Sequence, residues 1–84
     1  MAFDSQSQIE TKVRQVVAGV LKLEPEQVTA NLSSTSVSNW ESLAMVRIVV
    51  EIEEAFGIEL NGEQVAQMKS IDKIIEVVRR AFAA

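Results

Sequence analysis

Ser42 is the residue of this sequence whose position best suits covalent chemistry. It follows a long polar segment and Glu41, and an apolar, helix-forming stretch comes after it. A serine in the first turn of a helix lies in the partial positive charge of the helix N-terminus, which favours a phosphate ester on its hydroxyl. Serine is also common at helix starts for structural reasons alone. Position therefore makes Ser42 a candidate phosphate attachment site, beside the alternative of an ordinary helix-start serine.

The sequence lacks the side chains that most often perform catalysis unaided. Its 84 residues include no Cys and no His. This composition excludes disulfides, thiolate metal sites and cysteine nucleophiles, and it excludes a Ser-His-Asp triad within this chain. We therefore expect no catalytic residues, no metal ligands and no enzymatic activity.

Acidic groups are concentrated in the middle of the chain. The formal net charge is −4. From Glu24 to Met68 there are eight acidic residues and one base, Arg47, which gives that segment a charge of −7. Such a surface disfavours binding of nucleic acid and anionic lipid, because both bind to basic patches on proteins. It can attract basic proteins. An ordinary solvated surface is the alternative interpretation of the same charges.

No targeting or membrane-spanning segment is evident. The first five residues lack the basic and apolar regions of a signal peptide. No later apolar run approaches the length that crosses a bilayer. We expect a cytoplasmic, monomeric protein without membrane insertion.

A first helix and a long loop precede Ser42. Hydrophobic residues at steps of three and four predict a helix over residues 5–21, and Pro25 ends any continuation. Residues 29–39 are rich in Ser, Thr and Asn without a sustained period, which predicts a loop with Leu32 and Val37 as its core contacts. Loops of this length in small domains are often functional.

The second helix is predicted to begin after a cap at Ser38 or Asn39, which places Ser42 in its first turn, and to run to about Phe56. Ser38 and Glu41 fit a capping box, with Asn39 as an alternative cap, and Gly57 suits a left-handed C-terminal cap. One apolar stripe is the expected core face: Met45, Ile48, Val49, Ile52 and Phe56. A second stripe is either a docking strip or a face buried against another neighbour: Leu43, Val46 and Val50.

Two further helices complete the predicted fold. Asn61 and Gly62 predict a turn before a short helix over residues 63–68, and Ser70 is the expected N-cap of the last helix. Its apolar positions repeat at helical spacing: Ile71, Ile74, Ile75, Val78 and Phe82. The sequence shows no strand pattern. We predict one all-α domain over residues 1–84, a small four-helix bundle of three longer helices and one short helix, with a long loop between helices one and two.

The second helix begins and ends with recognisable motifs. Residues 40–43 read WESL, and residues 52–60 read IEEAFGIEL. Both resemble the acyl carrier protein family, in which Asp-Ser-Leu opens the second helix and Glu-Glu-x-Phe-Gly-Ile ends it. The passage over residues 21–28 and the last amphipathic helix extend the resemblance to nearly the whole chain.

The resemblance implies a phosphopantetheine arm, which a phosphopantetheinyl transferase moves from coenzyme A to the Ser42 hydroxyl, with Glu41 and Leu43 beside it in the attachment motif. Acyl, polyketide or aminoacyl intermediates would ride on the arm's thiol, so catalytic groups belong to partner enzymes. These partners would be an acyl-loading ligase or transferase and downstream enzymes of fatty-acid, lipid or secondary-metabolite biosynthesis. The implied partner surface is Leu43, Val46, Arg47, Val50, Glu53 and Glu54.

Three positions depart from the pattern of the family's fatty-acid carriers. Glu41 stands where the motif usually has Asp, Arg47 where an acid is common, and Ala44 where a polar residue is frequent. With Trp40 before the motif, the chain looks more like a specialised stand-alone carrier with different partners. Trp40 itself is interpreted as a loop anchor on the core rather than a cargo contact.

Two other functions compete with this interpretation. An unmodified helical interaction module would keep the carrier fold without the arm. A calcium-binding helical protein would explain the acidity and the Glu-Glu-x-Phe-Gly run, but no twelve-residue loop with alternating oxygen ligands is present.

Overall fold

The computed structural model of the protein describes residues 6–36 and 40–83. In these residues the chain forms four α-helices and one short 3₁₀ helix, in the order α1 (Gln6–Leu21), the 3₁₀ helix (Pro25–Gln27), α2 (Ser42–Phe56), α3 (Gly62–Gln67) and α4 (Ile71–Ala83). The only β-type pairing in the described residues is an isolated antiparallel bridge between Ser33 and Ser70. The predicted all-α bundle of three longer helices and one short helix is confirmed.

The core is built around α1. This helix packs against both α2 and α4, and α3 packs against α4. Every buried side chain among the described residues is hydrophobic. The largest fully buried ones come from all parts of the fold: Val13, Val17, Leu21, Val28, Ile48, Ile52, Met68, Ile71, Ile74 and Val78. Because burying one such side chain contributes about 1.5–3 kcal/mol as an upper estimate, removal of apolar surface from water is what holds the helices together.

Helix α2 begins later than a cap at Ser38 or Asn39 would allow. Its N-cap is Glu41, whose backbone is extended and whose side chain makes no capping hydrogen bond. The Glu41 carbonyl accepts the first helical bond from the Met45 N–H at 2.8 Å. The predicted cap is therefore wrong: Trp40 is buried in the core, and the chain stays extended through the next residue. Ser38 and Asn39, like Val37, lie outside the described residues.

The other helix boundaries that the sequence predicts agree with the structure to within one residue. Asn61 caps α3, because its side chain accepts from the Gln64 N–H at 2.8 Å while the Gln64 side chain accepts from the Asn61 N–H at 2.9 Å. This reciprocal cap starts α3 at Gly62, one residue before the predicted start. The predicted Ser70 cap of α4 is confirmed, since its Oγ accepts from the Lys73 N–H at 3.3 Å.

The long loop is bonded to the start of α4. The N–H of Ile71 donates to the Leu32 carbonyl at 2.9 Å, and the N–H of Asp72 donates to the Ala30 carbonyl at 3.0 Å. These are first-turn N–H groups, which a helix cannot satisfy itself. The loop is therefore held along the bundle surface by first-turn N–H groups of α4 that have no partner within their own helix.

Side-chain contacts with the core and with α1 also hold this loop. Val28 is fully buried, and Leu32 is half-buried against the core cluster, as predicted for Leu32. Arg14 of α1 adds a polar tie, because its Nε donates to the Val28 carbonyl at 2.9 Å. The connection between α1 and α2 thus has an ordered course over most of its described length.

Gly57 ends α2, and its substitution tests this role. It adopts φ +66° and ψ +38° at the C-cap, a left-handed conformation that costs other residues about 1 kcal/mol or more. We expect Gly57→Ala to lower the free energy of unfolding by about 1 kcal/mol, measured by urea denaturation.

The matched control is Gly19→Ala. Gly19 lies inside α1, and an added Cβ would meet no atom within 4 Å beyond its chain neighbours and the backbone of its own helix, so alanine there should raise stability by about 0.5–1 kcal/mol. Equal effects of the two substitutions would contradict this account of the cap.

Candidate functional site

Ser42 is the first residue of α2 and is exposed. The N–H groups of the first helical turn have no partner within the helix, and the side chain of Glu41, the N-cap residue, does not bond to them. Within the described part of the chain, no hydrogen bond or ion pair is made by the Ser42 hydroxyl. An anion attached to this hydroxyl would therefore meet first-turn N–H groups that no described side chain caps. The site fits a phosphate ester.

A cavity of about 310 Å³ opens beside Ser42. Its lining comes from the loop, the start of α2 and the junction of α3 with α4: Ser34, Trp40, Glu41, Ser42, Met45 and Lys69. The Trp40 indole is only 4% exposed, and its Nε1–H donates to the Met45 sulfur at 3.3 Å. Trp40 is thus the core anchor that the sequence predicts, and one part of it also forms a cavity wall.

The second apolar stripe of α2 is exposed. Leu43 is 71% exposed, Val46 57% and Val50 44%, and these are the exposed large hydrophobic side chains of the described residues. On the same helix Ile48 and Ile52 are fully buried. Of the two interpretations of this stripe, burial against a second neighbour is therefore wrong for this chain. We call Leu43, Val46 and Val50 the α2 strip.

Charged side chains surround the α2 strip. Arg47 is exposed, as are Glu51 and Glu54. The Arg47 guanidinium makes no ion pair or hydrogen bond to any described residue. A partner that covers the strip would thus meet one free cation and several carboxylates.

Glu53 differs from the other acids of α2. It is half-buried, and its Oε2 accepts from the Leu60 N–H at 2.9 Å. Its carbonyl also accepts from the N–H groups of Gly57 and Ile58. The structure therefore gives Glu53 a role in holding the chain that leaves α2, which sequence reasoning missed.

Ser34 and Lys69 are the cavity residues that the sequence interpretation did not single out. Lys69 lies between α3 and α4, and its carbonyl accepts from the Ser34 N–H at 2.9 Å. The two residues are 35 positions apart in the sequence, and the bonds between the loop and the start of α4 hold them together. The polar composition of the loop was the signal for Ser34, and no sequence pattern singled out Lys69.

No group of three or more His, Cys, Asp or Glu side chains in the described part of the chain is placed to hold a metal ion. None of its helices is long and apolar enough to cross a membrane.

Comparison with known proteins identifies the class of this domain. Residues 11–78 match the family described as "Phosphopantetheine attachment site". The acyl carrier protein of Thermosynechococcus vestitus is 31% identical over 80 residues, which cover 95% of this chain and 99% of that protein. The acyl carrier protein of Rhodococcus erythropolis is 28% identical over 79 residues, covering 94% and 87%. The meromycolate extension acyl carrier protein of Mycolicibacterium aurum is 25% identical over 76 residues, covering 90% and 78%.

The chain belongs to the acyl carrier protein family, whose members carry acyl groups on covalently attached phosphopantetheine. The family predicted from residues 40–43 and 52–60 is confirmed, and so is the cofactor. The family is one of carriers that work with phosphopantetheinyl transferases and biosynthetic enzymes.

The role of Glu53 can be separated from that of its neighbour. We expect Glu53→Ala to lower the free energy of unfolding by about 1 kcal/mol, because the Leu60 N–H loses its acceptor. Urea denaturation followed by circular dichroism measures the change.

Glu54→Ala is the control for charge and helix propensity. Glu54 is exposed and makes no hydrogen bond or ion pair with a described residue, so its change should stay within about 0.5 kcal/mol. A Glu53 variant as stable as the Glu54 variant would remove the structural role.

Proposed function

We propose that Ser42 carries the phosphopantetheine arm and that the chain presents intermediates on it to other enzymes, without catalysis of its own. The observation that carries the proposal is the exposed hydroxyl of Ser42 at the open N-terminus of α2, within the WESL motif of residues 40–43. The bound arm supplies the thiol that forms thioesters with acyl, polyketide or aminoacyl groups. Attachment forms a bond from phosphorus to Ser42 Oγ and breaks the phosphoanhydride bond of coenzyme A. The nucleotide part leaves as adenosine 3′,5′-bisphosphate, and a base of the transferase takes the proton of the hydroxyl.

Each neighbour of Ser42 has a proposed part in attachment. The N–H groups at the start of α2 stabilise the negative phosphodiester. Glu41 and Leu43 are both exposed beside the serine, where a phosphopantetheinyl transferase can contact them. Glu41 retains the negative charge of the Asp that is usual before the serine.

The α2 strip is the proposed partner surface, together with Arg47 and Glu54. Leu43 and Val46 expose more than half of their surface, and covering them would contribute apolar burial to binding. Glu54 can pair with basic groups of a partner. Glu53 is a weaker candidate for such contacts, because its carboxylate already holds the Leu60 N–H.

Arg47 supports a specialised pathway. A free cation beside the α2 strip repels the basic surfaces that acidic carriers usually meet and favours a partner that offers a carboxylate there. The pathway we propose is fatty-acid, lipid or secondary-metabolite biosynthesis with dedicated partners, in which the chain works as a monomer in the cytoplasm. An acyl-loading ligase or transferase would supply the cargo.

The unmodified interaction module is the remaining alternative. The exposed α2 strip suits protein binding with or without an arm. What separates the two functions is whether Ser42 is modified, and the following experiment decides between them.

The attachment site is tested by incubating the purified chain with coenzyme A and a promiscuous phosphopantetheinyl transferase, followed by mass spectrometry of the peptides. We expect one phosphopantetheine on Ser42 and none on Ser42→Ala. Ser36→Ala should be modified like the wild type, because that exposed loop serine bonds only within the loop. Modification of Ser42→Ala, or none of the wild type, would refute the proposal.

The contribution of Arg47 to partner choice is tested by charge reversal. With a fatty-acid synthase enzyme as partner, we expect Arg47→Glu to lower the KM for the loaded carrier by about fivefold, or about 1 kcal/mol, with kcat unchanged. Steady-state kinetics with a common acyl cargo give both constants.

Lys22→Glu provides the same change in net charge from the end of α1, where Lys22 is exposed. It should alter the KM by less than about twofold. If both variants change the KM equally, net charge rather than the position of Arg47 governs recognition.

A further inference from the structure

The cavity beside Ser42 combines an apolar wall with a single cation. Trp40 and Met45 form the apolar side, and Lys69 is the only basic residue among the described residues that line it. Glu41 is the only acid in this described lining. A volume of about 310 Å³ lies at the lower end of the range for small-molecule sites. It suits one segment of a flexible arm rather than the whole arm with its cargo.

Lys69 is held in place by its backbone while its side chain stays free. The Lys69 carbonyl accepts from Ser34, and the Lys69 N–H donates to the Gln67 carbonyl at 2.9 Å. The ammonium group makes no ion pair or hydrogen bond with any described residue. The other basic side chains of this region behave differently: Lys73 and Arg80 both pair with Glu76 on α4.

The loop keeps the cavity open on the side of Lys69. The Ser33–Ser70 bridge and the bond from Ser34 to Lys69 fix the position of the loop against the start of α4. Trp40 is fixed from the other side by burial and by its bond to the Met45 sulfur. The Lys69 side and the Trp40 side of the cavity are therefore both formed before any arm is attached. Binding a segment of the arm there costs little free energy for ordering the protein.

We infer that this cavity seats the proximal part of the phosphopantetheine arm: the Lys69 ammonium is the counter-ion of the arm's phosphodiester, and the Trp40–Met45 wall contacts the dimethyl segment that follows it. The inference rests on the proposed attachment at Ser42. The phosphodiester carries one negative charge and starts at the cavity rim, where Glu41 would repel it and Lys69 attract it. The branched dimethyl carbon is the most apolar group of the arm and suits the aromatic wall.

The seated arm has a consequence for function. Its proximal part leaves the protein from the side of Lys69, so the thiol end starts from a defined direction instead of sweeping the whole surface around Ser42. Raising the salt concentration should weaken the binding of the arm's proximal part in the cavity. The reason is that the ion pair between Lys69 and the phosphodiester lies at the surface and is screened.

The experiment uses the full chain, modified completely with isotope-labelled phosphopantetheine and checked by mass. In the wild type we expect nuclear Overhauser contacts between the dimethyl protons of the arm and the Trp40 indole, and a phosphorus chemical shift that changes as NaCl is raised from low to molar concentration. In Lys69→Gln the Overhauser intensities should fall at least threefold, and the phosphorus shift should lose most of its salt dependence.

Lys73→Gln is the control for charge. Lys73 is four residues further along, exposed, and outside the cavity lining, so it should keep the wild-type contacts and salt dependence. Circular dichroism and thermal unfolding of both variants verify the fold.

The outcomes separate the two proposals. If Ser42 accepts no arm, the proposed function and this inference both fall. The arm may be attached but show no contact with Trp40, or Lys69→Gln and Lys73→Gln may behave alike. Either result would refute binding of the proximal arm in the cavity, while the attachment site at Ser42 would stand.

Discussion

The position of the site depends on the bonds that join the α1–α2 loop to the start of α4. The first-turn N–H groups of Ile71 and Asp72 need acceptors, and the carbonyls of Leu32 and Ala30 supply them. Because these bonds run between segments distant in sequence, they close the bundle across its long connection. They also bring Lys69 to the entrance of α2. Without them the loop would keep the bond from the Ser34 N–H to the Lys69 carbonyl, the burial of Val28 and Leu32, and the Arg14 contact.

Helix α2 serves two environments at once. Ile48 and Ile52 are fully buried, whereas Leu43 and Val46 are more than half exposed on the same helix. An isolated amphipathic helix would gain nothing from exposing large apolar side chains, since each leaves surface in water that burial would remove. The exposed strip is therefore not explained by the stability of this chain, and its exposure is consistent with the protein partner that we propose for it.

Sequence reasoning located what depends on local patterns and missed what depends on distant contacts. The α2 stripe, the Gly57 cap and the Ser70 cap each have a signal within a few residues, and the structure has them where the patterns place them. The start of α2 was misplaced because burial of Trp40, a tertiary effect, outweighed a plausible capping pattern. Lys69 could not have been assigned to the site, because backbone bonds 35 residues apart in the sequence bring it there.

The composition of the chain becomes intelligible once the reactive group is an imported one. Every buried side chain among the described residues is apolar, so folding needs no buried charge and incurs none of its desolvation cost. Polar groups are then free to act at the surface, where a covalent arm and several enzymes must reach them. In the acidic segment and at its edge only Arg47 and Lys69 are basic, and both side chains lack a partner among the described residues. One lies beside the α2 strip and the other beside Ser42, so the two departures from acidity fall where partners and arm would be recognised.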